Sequence, residues 1–431
     1  MINPRSSAQE SHPNINFATH DRLLLASSIL LQLILALFFG HAYDMRIFMA
    51  SGFLVGTGQN PYIAQNLASV FQNTTFQGIT SFGYPPPWAL VLGLIYLLTY
   101  RIVPNLLLYN LAIKLPVIAA NICLAYLVAH VLETSGAQDK ASRKAWIFML
   151  FNPFLLLTSS AWGQFDSVVA LFSLLSLFLL GKGKLTGPAI LLALAVSCKP
   201  IALPIIPVVF VYLAGRSLKY ALVYFAVFTL SMILFCVVPF LLFGWDPAVI
   251  FQHWNAHFSV GGGLSFMTFL ESLKQSYQLT GSWWIVGWLW VPTLFIATLA
   301  LKSGIHGFND LLKKSLAMLL VFYLCRSWLS EPNVILVLPL VLILTGIHEL
   351  HKLALAAVWV LPLVFSFLNT SIAQLFFPSM PAVMDSLLHF SSENNPLRFT
   401  LRTVVVIVWI AAGWWIVHNC FKKNTLSKRE E

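Results

Sequence analysis

The first apolar run of this chain is LLLASSILLQLILALFF, residues 23–39, and GHAYDMRIF follows it as residues 40–48. The run carries no charged residue and approaches the roughly 20 apolar residues that span a bilayer. Asp44 therefore lies just beyond the end of a predicted membrane span. The turn GQNPY follows at residues 58–62. A carboxylate held at the mouth of a membrane protein is well placed to act as a general base.

The composition predicts an all-α polytopic membrane protein. Apolar residues make up 58% of the 431 residues and charged residues only 9%, with a mean hydropathy of +0.81. So few charges cannot cover a water-soluble surface. The net charge of +10 does not indicate a nucleic-acid partner, because the Lys and Arg residues fall in short links between apolar runs. The five cysteines show no metal or redox spacing and are expected in the core.

Apolar length and helix breakers predict about twelve crossings within one integral membrane domain, residues 22–418. The predicted spans are 22–40, 106–131, 145–161, 165–181, 186–198, 201–214, 218–243, 282–301, 311–327, 333–348, 353–369 and 400–418. Three longer segments, 41–104, 244–281 and 370–398, are predicted outside the membrane. The run from Pro85 to Tyr100 is short and is expected to be a juxtamembrane or re-entrant helix.

The distribution of Lys and Arg predicts how the chain is oriented in the membrane. Basic residues at 140–144, 182–184, 216–219, 302, 313–314, 352 and 422–429 fall on one side if these spans hold, and that side is the cytoplasm. The tails 1–21 and 419–431 are then cytoplasmic, and the three long segments share the outer face. No cleavable signal peptide is expected, because polar residues precede Leu23 and no small-residue cleavage site follows the first run.

Lys199 ends a short apolar run, residues 186–198, which measures about 20 Å as a helix against a hydrocarbon slab of roughly 30 Å. A lysine at that depth faces a wet cavity or an anion. The alternative is a lysine that extends to the interface. As a cation near Asp44, Lys199 is a candidate ligand for a phosphate.

Arg326 and Glu331 interrupt two apolar segments in the stretch YLCRSWLSEPN, residues 323–333. One interpretation pairs the two side chains across the turn. The other makes Arg326 a phosphate clamp, since a guanidinium fork suits phosphate, and leaves Glu331 to bind substrate.

A hairpin with almost no loop contains AWGQFDS, residues 161–167. Gly163 permits the turn, and Gln164 and Asp166 place an amide and a carboxylate at the outer surface, where they are candidate substrate ligands. Asp166 has an alternative role as the N-cap of the following helix, just as Asp44 has an alternative role as an interfacial helix cap.

Taken in order, these motifs resemble the GT-C glycosyltransferases over residues 22–215. The similarity extends to the catalytic subunit of glycosylphosphatidylinositol mannosyltransferase I, the dolichyl-phosphate-glucose glucosyltransferases and bacterial polyprenyl-phosphate-mannose mannosyltransferases. It rests on Gly58–Tyr62, Tyr84–Pro86, Asn152–Pro153, Gly163–Asp166 and Lys199–Pro204.

The resemblance implies a GT-C fold and inverting transfer of one hexose, with mannose favoured, from polyprenyl phosphate to a glycan, glycolipid or protein acceptor. Asp44 takes the role of the base. His253 and His257 correspond to a later-loop histidine pair, and with Lys199 and Arg326 they would bind the donor phosphate. Where the mannosyltransferase I subunit has Asp-x-Asp, this chain has Ala42-Tyr43-Asp44, so no metal or other cofactor is expected.

The candidates to line the sugar or the prenyl chain are Tyr84, Trp88, Trp162 and Trp254, although interfacial aromatic residues commonly form only a belt. The expected location is the plasma membrane in a prokaryote or the endoplasmic reticulum membrane in a eukaryote. A lipid or solute transporter is the alternative function, because broken half-helices such as those predicted at 186–214 also occur in transporters. The two halves of the chain show no repeat.

Overall fold

A computed structural model describes residues 19–252, 261–269 and 287–422, and most of them are helical. The first helices are α1 Thr19–Phe38, α2 Ala42–Gly56, α3 Ala68–Phe71, α4 Pro86–Leu98, α5 Leu106–Thr134, α6 Asp139–Phe151, α7 Pro153–Leu155, α8 Asp166–Gly181, α9 Thr186–Cys198, α10 Ile205–Ala214, α11 Leu218–Met232 and α12 Val238–Phe243. The later ones are α13 Trp290–Ala300, α14 Gly307–Leu324, α15 Leu338–Gly346, α16 Lys352–Leu368, α17 Ser371–Gln374, α18 Pro381–Glu393 and α19 Asn395–Phe421. Two short strands, β1 Gly262–Gly263 and β2 Trp328–Leu329, pair in parallel.

The all-α membrane character is confirmed, but the count of twelve crossings is not. Within the described residues, four helices are long and apolar enough to span: Thr19–Phe38, Leu106–Thr134, Leu218–Phe243 and Asn395–Phe421. The helices Asp139–Ala161 and Asp166–Gly181 are bent by 117° relative to each other, and this pair adds a fifth candidate span if it crosses as one unit. The other apolar helices hold 10–17 residues, about 15–26 Å of helix against a slab of roughly 30 Å.

The segment 41–104, predicted to lie outside the membrane, contains two longer helices. Residues 42–56 form α2, for which no helix was predicted, and α4 lies within the predicted Pro85–Tyr100 helix. Glycines permit close packing of α2 on α4: a methyl at Gly52 would lie 2.7 Å from the carbonyl oxygen of Leu92. The segment 370–398, also predicted to lie outside the membrane, contains α17, α18 and the start of α19.

Buried polar side chains join the ends of two chain segments. The last carbonyl groups of a helix have no partner within it, and Asn110 Nδ2 donates to the carbonyl oxygens of Ala36 (2.7 Å) and Phe39 (2.8 Å) at the end of α1. The fully buried Lys114 Nζ donates to the carbonyl oxygens of Phe39 and, at 2.9 Å, Ala161. One ammonium group thus holds together the chain just before residue 41 and the chain just before residue 162.

Candidate active site

A cavity of about 780 Å³ opens between α2, the turn at residues 162–164, the segment that follows α9, and the 326–333 turn. Its lining includes the predicted site residues Asp44, Tyr84, Gln164, Lys199, Arg326 and Glu331. These come from segments far apart in the sequence, and the fold brings them to one cavity. Asp166 does not line it. His253, Trp254 and His257 lie outside the described residues.

Asp44 lies in the first turn of α2, where a carboxylate is favoured by the helix dipole. Its side chain is 15% exposed. Trp162 Nε1 donates to Asp44 Oδ2 at 2.6 Å, and His41 Nδ1 lies 3.0 Å from the same oxygen. The interpretation of Asp44 as a helix cap is wrong, because the N-cap of α2 is His41.

The pKa of Asp44 lies below its ordinary value. Burial alone would raise this pKa, but the contacts with His41, Trp162 and Gln164 favour the charged form and outweigh burial. Asp44 is therefore ionised at neutral pH, in the state that a general base requires.

His41 and Trp162 stack on each other, with ring centroids 4.2 Å apart and an interplanar angle of 15°. His41 was not among the candidate site residues, and Trp162 was considered only as a residue that lines the sugar or the prenyl chain. The spacing of His41 and Asp44 was a usable signal, because residues three apart face each other on a helix. Nothing in the sequence indicates the contact of Trp162, which lies 118 positions from Asp44.

Lys199 is buried and paired rather than extended to an interface. Its Nζ lies 2.9 and 2.8 Å from the two carboxylate oxygens of Asp166 and 3.3 Å from Gln164 Oε1. The alternative that Lys199 reaches the membrane interface is therefore wrong. The ammonium group also lies 5.3 Å from the ring centroid of Tyr84, so it faces both the ion pair and the cavity.

Asp166 supports Lys199 from behind and does not contact the cavity. Its side chain is fully buried, which contradicts the prediction of a substrate ligand. The N-cap alternative is also wrong, because α8 begins at Asp166 and its N-cap is Phe165. The physical reason is the buried lysine: a carboxylate beside it lowers the cost of holding a charge away from water.

Arg326 and Glu331 both line the cavity but do not form the pair considered from the sequence. The guanidinium carbon of Arg326 lies 4.9 Å from the ring centroid of Phe322. Glu331 Oε1 accepts hydrogen bonds from Asn369 Nδ2 (3.0 Å) and Ser371 Oγ (3.5 Å). Strand β2 lies between the two residues and pairs with β1, so the turn does not fold the two side chains onto each other.

Tyr84 lines the cavity together with Asp44 and Lys199. Its pKa lies well above the ordinary value, because burial and then the charges of Asp44 and Asp166 disfavour a phenolate. The hydroxyl group therefore stays protonated. Together the lining residues offer an ionised carboxylate, two cations and several hydrogen-bonding groups within one cavity, which is suited to transfer of a polar group from an anionic leaving group.

The described residues contain no group of three or more His, Cys, Asp or Glu side chains that could hold a metal ion. The expectation that no metal is needed stays a prediction.

Comparison with known proteins gives one family match, over part of the chain. Residues 110–265 match the profile of the ALG6, ALG8 glycosyltransferase family, and no curated protein sequence matches the chain. The match confirms the resemblance to GT-C glycosyltransferases over this region. It does not confirm mannose, since ALG6 and ALG8 are glucosyltransferases. The matched region includes Lys199 and the 162–166 turn but not Asp44 or Arg326.

Proposed function

We propose that this protein is an inverting glycosyltransferase that moves a single hexose from a polyprenyl-phosphate donor to a glycan, glycolipid or protein acceptor on the outer face of the membrane, with Asp44 as the general base. The observation that carries the proposal is the cavity in which an ionised carboxylate and two cations, Lys199 and Arg326, face the same space.

The chemistry balances without a further reactant. The acceptor oxygen attacks the anomeric carbon, the bond from that carbon to the phosphate oxygen breaks, and its electron pair stays on the phosphate. The acceptor proton moves to Asp44. A positioned carboxylate contributes on the order of a hundredfold or more to such a step.

Arg326 is the stronger candidate for binding the leaving phosphate. Asp166 balances the charge of Lys199, whereas no carboxylate among the described residues lies within ion-pair distance of Arg326. A planar guanidinium also matches phosphate geometry, and charge stabilisation is strongest where water is scarce. Lys199 adds an ammonium group held in place by its pair. His253 and His257 remain candidates for the same role.

The cavity lining also offers partners for hexose hydroxyl groups. Glu331, Asn333 and Asn369 supply acceptors and donors, as do Tyr84 and Gln164, which interact with Asp44. The motif order in the sequence favours mannose, whereas the family match favours glucose. Both donors are therefore tested in parallel.

The acceptor has a separate approach. A second cavity of about 270 Å³ shares Tyr43 and Gln374 with the main one and is lined by Arg46 and Thr75. Half of its lining is apolar, and the polar side chains Arg46, Thr75 and Gln374 are partners for a glycan or head group that reaches Asp44 from outside. In a eukaryote this face is the lumen of the endoplasmic reticulum, and in a prokaryote it is the outer face of the plasma membrane.

The test is transfer of radiolabelled hexose from polyprenyl-phosphate-mannose and polyprenyl-phosphate-glucose in membranes that contain the native chain, Asp44→Asn or Asp385→Asn. Asp385 is an exposed carboxylate on α18 and serves as the matched control. We expect transfer by the native chain and by Asp385→Asn, and its loss in Asp44→Asn at equal expression. Activity retained by Asp44→Asn would exclude Asp44 as the base. No turnover of either donor would favour the transporter alternative.

A further inference from the structure

The partners of Asp44 come from two chain segments that meet only in the folded protein. His41 precedes α2, and Trp162 follows the π-helical segment Leu156–Ala161. Both polar atoms approach one carboxylate oxygen, Oδ2, at 3.0 and 2.6 Å. We propose that His41 and Trp162 are positioning residues that fix Oδ2 of Asp44, so that Oδ1 accepts the proton of the acceptor hydroxyl. The proposal rests on the function proposed above.

Orientation of the base matters because proton transfer requires a defined distance and angle to the acceptor hydroxyl. A carboxylate in a first helical turn can rotate about its side-chain bonds. Two partners on one oxygen restrict that rotation, and the stacked rings of His41 and Trp162 restrict the partners themselves.

The surrounding backbone is built to hold this arrangement. The backbone N–H of His41 donates to the carbonyl oxygen of Trp162 at 3.1 Å. Lys114 binds the carbonyl oxygens of Phe39 and Ala161, two and one residues before the two partners. A buried lysine is costly in a membrane protein, and here its hydrogen bonds connect the two segments that supply the partners of the base.

Gly163 completes the turn after Trp162. Its φ of +98° favours glycine. A methyl group there would contact Met45 Sδ and lie 3.0 Å from Lys114 Cε. The turn, the lysine and α2 therefore pack too closely for a larger residue, and the indole has little freedom to leave Asp44.

Several titratable or charged groups face this arrangement. Tyr84 and Asp166 interact electrostatically with Asp44, and Asp166 is balanced by Lys199. Glu331 interacts electrostatically with His41. These groups remain in the variants described next, so a change in the titration of Asp44 reports the substituted partner.

Trp162→Phe keeps a ring for stacking and removes the indole donor. His41→Ala removes the imidazole whose Nδ1 lies 3.0 Å from Oδ2, and His41→Asn places an amide donor near that position. Removing the indole donor or the nearby imidazole disfavours the charged form of the carboxylate, so the pKa of Asp44 rises. The acid limb of kcat/KM, which reports the free base, is expected at higher pH in Trp162→Phe and His41→Ala than in the native enzyme, with His41→Asn near native.

We expect kcat to fall about tenfold to a hundredfold in Trp162→Phe and His41→Ala, while the KM for the donor stays within about twofold, because the base is misplaced but the phosphate site is intact. The control is Trp415→Phe, a partly exposed tryptophan on α19, which should change neither quantity. A turnover-independent readout is the infrared carbonyl band of protonated Asp44, identified by its absence in Asp44→Asn and followed against pH.

The outcomes separate the two proposals. If native turnover is abolished by Asp44→Asn but Trp162→Phe and His41→Ala keep the native acid limb and kcat, the positioning role is wrong and the proposed function stands. If no donor is turned over, the proposed function fails, and the infrared titration still decides the positioning role. A native-like titration of Asp44 in both variants would overturn it.

Discussion

The buried ion pair beneath the cavity provides the sharpest test of the structure. Lys199 Nζ lies 2.8 and 2.9 Å from the oxygens of Asp166, which is fully buried, and Lys199 itself is 5% exposed. Asp166→Asn keeps the shape of the side chain and removes its charge. The lysine is then left charged, buried and without its carboxylate.

The expected cost follows from that burial. Removing one partner of a buried pair destabilises a protein by about 3–5 kcal/mol, whereas replacing both partners with residues of similar volume is close to neutral. The double variant Asp166→Asn/Lys199→Met should therefore regain most of the stability lost in the single variant. Asp21→Asn removes the carboxylate partner of Arg143, which is 50% exposed, and an exposed pair contributes only about 0–1 kcal/mol.

The assay is thermal unfolding of the purified chains in one detergent. We expect the native chain, Asp21→Asn and the double variant to unfold at similar temperatures, and Asp166→Asn at a clearly lower one. The double variant should be stable but impaired in hexose transfer, since it lacks the ammonium group at the cavity. An Asp166→Asn protein as stable as Asp21→Asn, or a double variant less stable than the single one, would refute the pairing.

Four further outcomes are expected. Gly163→Ala should lower the free energy of unfolding by about 1 kcal/mol or more, because alanine is strained at a φ of +98°. The measurement is the unfolding temperature in the same detergent, and a native unfolding temperature would contradict the turn geometry. Arg326→Gln should lower kcat/KM for the lipid-phosphate donor about a hundredfold and Arg326→Lys about tenfold, and equal losses would argue against bidentate phosphate binding. Glu331→Gln should raise the KM of the preferred hexose donor about tenfold if the carboxylate binds sugar hydroxyls, so an unchanged KM for both donors would remove Glu331 from the sugar site. Transfer should continue in excess EDTA, and a loss restored by added Mg²⁺ or Mn²⁺ would show that a metal is needed.

Helix positions were largely predictable from the sequence. The run predicted at 186–198 is the helix Thr186–Cys198, and the run at 218–243 remains one candidate span in the structure. Apolar length and breakers are local properties of the chain, so they indicate where a helix forms. They do not indicate whether a helix of 13 residues crosses the bilayer, which depends on its neighbours.

The sequence likewise identified some residues of the candidate site but not the contacts between them. Asp44, Lys199 and Arg326 were identifiable because a charged residue beside long apolar runs is costly unless it has a function or a partner. Their partners were not identifiable. The sequence left Asp166 as a ligand or a cap, and Arg326 as the partner of Glu331 or a phosphate clamp. In the fold Asp166 supports Lys199, and Glu331 binds Asn369 and Ser371.

The sequence alone determined that this is a helical membrane protein and which of its charges are exceptional, because hydropathy and charge can be read at each position. Only the tertiary structure decided which side chains meet. Asp44 and Trp162 are separated by 118 positions and Lys199 and Asp166 by 33. Such contacts depend on how the helices pack and on where each turn directs its side chains, and neither is a property of the local sequence.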